Sequence, residues 1–162
     1  MHETHDGDGG GTNDDGDGRG ARDDTDTHQI TLTGDTVLTD RYLADHRPTV
    51  GRLEEVLAAA DATLTHLEAV PRGRDTESYP AHRTVGGLHT APADIGQELS
   101  ALGIDAATVA GNHTGDHSYA GVFAAQRSLD DAGVAHAGVG WDLTDAREPA
   151  TVETPAGDVA VV

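Results

Sequence analysis

The sequence predicts an α/β domain, a layered sheet with flanking helices, on three observations. From residue 29 onward, short apolar or β-branched runs alternate with stretches of helical spacing. That alternation favours a parallel sheet joined by right-handed crossovers. Several of the apolar runs close on polar turns, the place where an open parallel sheet keeps its ligand chemistry.

Residues 1–27 hold eight Asp, one Glu and seven Gly with hardly an apolar side chain. They cannot bury enough surface to offset the entropy of ordering, so a disordered acidic leader is expected ahead of a folded domain over residues 28–162. The first strand is expected at Gln29–Thr33, ending on Gly34 and Asp35. From Pro48, the apolar positions Val50, Leu53, Val56, Leu57 and Ala60 follow the period of a helix. Asp61–Glu68 returns to strand character, with His66 and Glu68 at its tip on one face.

Residues 71–84 form a polar excursion with two prolines and read as a surface loop, followed by a short strand or turn near Val85–His89. Pro92 is expected to open a helix with Ile95, Leu99 and Leu102 on its buried side and Gly103 as its stop. Then comes Asp105–Gly121, around which the chain is organised: a short apolar run, an abrupt Gly111-Asn112-His113, a turn through Asp116, and a helix from about Tyr119. That helix ends at Gly133 and leads to a short strand at Val134–Gly138. A turn or short helix near Leu143–Arg147 precedes a hairpin, Thr151–Thr154 with Val159–Val162. Because the chain ends inside a strand, the sheet is expected to be incomplete at the C-terminus.

Composition narrows the function. The formal charge is -19, and all ten basic residues are arginine. Such an acidic balance fits a halophilic protein in a salt-rich cytosol, where a Debye length of about 3 Å near molar salt screens the self-repulsion. It argues against a nucleic-acid partner, which needs clustered basic residues. The absence of cysteine excludes disulfides and thiolate ligands, so any metal must be held by oxygen and nitrogen. No apolar run approaches the ~20 residues of a membrane span, and no secretory signal is evident, so the chain is expected in the cytoplasm.

Three expected strand tips carry ligand types: Asp35, Glu68, and Asn112 with His113. If these strands are parallel neighbours, their tips converge. Two carboxylates and an amide oxygen suit Mn, Fe, Zn or Mg, leaving His113 as a general acid that Asp116 orients. The same residues also fit ordinary roles: Asn-His-Thr-Gly is turn chemistry, Asp35 can cap a turn, and Glu68 can be a solvated acid. Trp141 is expected to pack against the last helix, with stacking on a substrate as the alternative.

The segments Gly34–Leu38, His66–Glu68, Val109–Asp116, Leu129–Gly140 and Ala146–Pro149, in this order and spacing, resemble the successive motifs of the CapA family, the capsule or poly-gamma-glutamate synthesis proteins. The resemblance covers about residues 29–162. It implies a fold similar to calcineurin-like metallophosphoesterases, a divalent metal cofactor held by Asp35, Glu68 and Asn112, and His113 as proton donor. It also implies an anionic polymer or phosphoester substrate. His66 departs from the family's usual Asn, and His117-Ser118 from its aromatic-glycine pair; relatives continue into a second half with further histidine ligands. A metal-dependent hydrolase is thus one reading, and a non-catalytic domain that keeps the fold for a structural or binding role is the other.

Overall fold

The computed structural model describes residues 28–41, 48–72 and 90–162. The leader at 1–27 and the expected strand or turn at Val85–His89 lie outside the described residues, as does most of the 71–84 excursion.

Four strands, β1 (Ile30–Thr36), β2 (Ala62–Leu67), β5 (Ala106–Thr108) and β6 (Ala135–Ala137), form a parallel sheet in the order β1-β2-β5-β6. Between β2 and β5, β3 (Val70–Arg72) and β4 (Thr90–Pro92) make a separate parallel pair. The helices are α1 (Pro48–Leu57), α2 (Ile95–Ala101) and α3 (Ser118–Ala132); a 3₁₀ turn at Asp145–Arg147 leads to the antiparallel hairpin β7 (Ala150–Thr154) and β8 (Gly157–Val161).

Each new strand of the main sheet is added on the same side of the last. Repeated crossovers of one hand then place the helices on one face. The main core agrees: Val50 and Leu57 of α1, Ile95 and Leu99 of α2, and Ala125 and Leu129 of α3 join Leu67, Ala107 and Val109 from the sheet side. The opposite face is covered by the hairpin, where Val161, Val152 and Ala150 meet Leu64, Ala106, Ala135 and Ala137. The layers are therefore helices, parallel sheet, hairpin.

The α/β class holds, and with it the alternating strands and helices, the hairpin, and the burial of Ile95, Leu99 and Leu102. Three local expectations are corrected. Pro92 ends β4 rather than opening α2, which starts at Ile95; a short two-stranded pair has free edges, so a residue without an N–H is tolerated there. Pro71 and Arg72 belong to β3 rather than to a loop. On α1, Leu53 and Val56 are exposed, because the core takes this helix only along Val50 and Leu57.

The α2–α3 crossing has no room for a side chain at Gly96: a Cβ there would fall 1.9 Å from the Ser128 carbonyl oxygen. The Gly96 N–H instead donates to Ser128 Oγ at 3.0 Å, tying the helices backbone to side chain. At the far end of α3, Gly133 takes the left-handed conformation (φ 70) that closes the helix.

Candidate active site

The strand order answers the condition set by the sequence. β1, β2 and β5 are adjacent and parallel, so Asp35, Glu68 and Asn112 all belong to the carboxyl edge of one sheet. In β1 the register with β2 slips between Leu32 and Asp35, at a bulge where Gly34 has φ 76. The slip brings Asp35 opposite His66; uninterrupted pairing would put Gly34 there. Thr65 holds the bulge by donating to the Gly34 carbonyl at 3.1 Å while its hydroxyl also accepts from Thr33 at 2.7 Å.

β2 delivers two groups. His66 shares a 3.0 Å hydrogen bond between Nδ1 and Thr108 Oγ1 of β5. Glu68, just past the strand, is anchored by its N–H donating to the Thr36 carbonyl at 3.2 Å.

After β5 the chain turns sharply, and Thr114 holds the turn: its hydroxyl donates to the Val109 carbonyl and accepts from the Gly111 N–H at 2.6 Å. Gly111 is required because the ring of His66 occupies the space where a Cβ would stand. The backbone then coils through Asp116, whose N–H donates to the His113 carbonyl at 3.0 Å, and enters α3 through Ser118 at φ 60. A positive φ in a non-glycine residue is a strained conformation, of the sort that collects at functional sites.

This turn brings His113 and Asp116 together. The His113 Nδ1–H donates to Asp116 Oδ2 at 2.6 Å, and Nε2 lies 3.8 Å from Glu68 Oε1. Asp116 is buried, whereas His113 and Glu68 remain partly open to solvent. The hydrogen bond to Asp116 raises the His113 pKa above its ordinary 6.5, with smaller contributions from the charges of Asp116 and Glu68.

Of the residues singled out from sequence, His113, Asp116 and Glu68 are therefore gathered within contact distance, while Asp35, which lies inside β1 rather than past its end, and Asn112, past β5, stand exposed on strands either side of β2. The donor chemistry suits a hard divalent cation, being two carboxylates and an amide oxygen. Among the described residues no three His, Asp or Glu side chains form a cluster able to hold a metal. Sequence reasoning missed Thr114, Thr108 and the packing of His66 on Gly111; an ST-turn hydroxyl two residues past Asn112 was the one local signal for Thr114.

A parallel sheet flanked by helices is the α/β fold of the metallophosphoesterase-like class. More particularly, the chain belongs to the bacterial capsule synthesis protein family PGA_cap, whose model matches residues 29–162. It is also similar to two proteins of Sinorhizobium fredii named as uncharacterized, y4sH and y4uA, each 31% identical over 130 residues. The match covers 80% of this chain but 28% of either relative, so the chain spans well under a third of their length. Among the described residues no helix is long and apolar enough to cross a membrane.

Proposed function

We propose that this domain is a metal-dependent hydrolase of the phosphoester type, acting in capsule or poly-gamma-glutamate type polymer synthesis with His113 as the proton donor. The observation that carries the reading is the Asp116–His113 hydrogen bond, which leaves Nε2 facing the carboxyl edge beside Glu68. Asp116 fixes the tautomer and favours the imidazolium, so His113 keeps its proton further toward neutral pH. On this reading the Nε2–H beside Glu68 is the proton passed to a leaving-group oxygen, and Asp116 stabilises the charged form until that transfer. Asp35, Glu68 and Asn112 are the residues that would hold the cation. When bound, it would polarise an ester oxygen and lower the pKa of water.

A domain that keeps the fold for a structural or binding role is the second reading, favoured by the exposure of Asp35 and Asn112. Calorimetric titration of Mn²⁺ and Zn²⁺ into the chain in high salt, with elemental analysis, separates the two. Stoichiometric binding lost in Asp35→Ala and Asn112→Ala supports the hydrolase. Weak binding indifferent to both substitutions supports the second reading.

A further inference from the structure

Trp141 and Tyr119 stand outside the buried core, against the usual rule for large rings. The sequence has one Trp, one Phe and three Tyr, and among the described residues the core clusters are built from Leu, Ile, Val and Ala. The sole Trp and sole Phe instead stack on each other at the surface, with ring centroids 3.7 Å apart and planes 21° from parallel. Tyr119 continues the array at 6.5 Å from Phe123, again at 21°. Trp141 is 77% exposed and Tyr119 79%. Burying large rings is a main source of core stability, so an ordered aromatic array left in water points to a ligand.

The chain links the array to the candidate active site at two points. Tyr119 lies three residues beyond Asp116, in the first turn of α3. Trp141 follows β6 on a loop that touches the Asn112 loop: Gly138 (φ 97) packs so tightly that a Cβ there would fall 2.7 Å from the Ala110 Cβ. The platform is also fixed before any ligand arrives. Gln126 Nε2 donates to the Val139 carbonyl at 3.3 Å, and the Trp141 N–H donates to Asp145 Oδ2 at 3.2 Å.

Shape and charge select the ligand. Trp141 lies face to face on Phe123, so the stack offers a ligand the flat outer face of the indole and not the enclosing walls of a cation cage. Beside Trp141 stand the acceptor carboxylates of Asp142 and Asp145, and Asp142 is held ionised by the N–H groups of Asp145 and Thr144. A flat electron-rich face rimmed by acceptors suits a ring whose C–H groups face the aromatic and whose hydroxyls donate outward. Anions are repelled by the rim.

We propose that Trp141, supported by Phe123 and Tyr119, is a sugar-binding subsite that stacks a neutral pyranose ring of a saccharide substrate, beside the group on which His113 acts. The assignment rests on the hydrolase reading for its partner site, but its test does not require turnover. Trp141 is the sole tryptophan, so its selectively excited emission reports directly on the platform. Cellohexaose, maltohexaose, chitohexaose and a γ-linked glutamate oligomer of equal length are titrated into the full chain in high salt, with calorimetry in parallel. Saturable emission change with at least one sugar, absence of change with the glutamate oligomer, and binding at least about tenfold weaker by calorimetry in Trp141→Ala are expected. A folded Trp141→Ala variant is verified by circular dichroism, and Tyr119→Ala serves as a second, milder variant. No saturable response to any of the three sugars, equal binding of the glutamate oligomer, or sugar binding unchanged in Trp141→Ala overturns the proposal. An emission shift that depends on protein concentration alone also overturns it, in favour of a second copy of the chain covering Trp141.

Discussion

Gly111 and His66 are packed so closely that a Cβ at position 111 would lie 2.4 Å from His66 Nε2. The imidazole is itself held from behind by Thr108 at 3.0 Å, so it cannot withdraw without losing that bond. Gly111→Ala is therefore expected to destabilise by roughly 1–3 kcal/mol, the range for overpacking. In a His66→Ala background the same change should cost less, a coupling of about 0.5–3 kcal/mol readable from a double-mutant cycle in urea. Additive costs would place the strain elsewhere.

Asp116 sets the protonation of His113. In Asp116→Asn the carboxylate charge and the charge assistance it gives the hydrogen bond are gone, and the imidazole should titrate closer to 6.5. The sign for stability follows. A raised folded-state pKa adds stability that is complete below the unfolded value near 6.5 and is lost as the pH rises through the folded value. NMR titration of the ring protons checks the first point; unfolding midpoints of wild type and Asp116→Asn across that window check the second.

The α2–α3 crossing depends on Gly96. A methyl group there meets backbone and not a movable side-chain end, 1.9 Å from the Ser128 carbonyl oxygen. Gly96→Ala should cost at least roughly 1–3 kcal/mol, read as a fall in the unfolding midpoint. Ser128→Ala, which removes only the 3.0 Å hydrogen bond, should cost about 0.5–1.5 kcal/mol.

Salt dependence follows from the charge of -19 with no lysine. Unfolding midpoints are expected to rise with KCl as self-repulsion is screened. Full stability in low salt would remove the halophilic reading.

How much of this was legible in sequence depended on whether the signal was local. The alternation of strands with α1, α2 and α3, the Gly133 stop and the hairpin all follow from periodicity and turn residues, and each stands in the structure. His113 and Asp116 were legible as a pair because they lie three positions apart in one turn. The bulge at Gly34 was not, since register is set by the partner strand and Thr65. Nor were the His66–Thr108 bond and the packing of His66 on Gly111, which join residues more than forty positions apart. Pro92 misled for a related reason: its fixed φ suits a helix start, but pairing with β3 placed it in a strand.

The central claim is that His113 donates the proton in phosphoester hydrolysis, and turnover tests it most directly. Hydrolysis of an activated aryl phosphodiester is measured in high salt with Mn²⁺, comparing wild type with His113→Ala of verified fold. Metal-dependent turnover is expected to fall on the order of 10²–10⁴-fold in His113→Ala, the range for loss of a general acid. Equal turnover in the two proteins, or none in either, would contradict it.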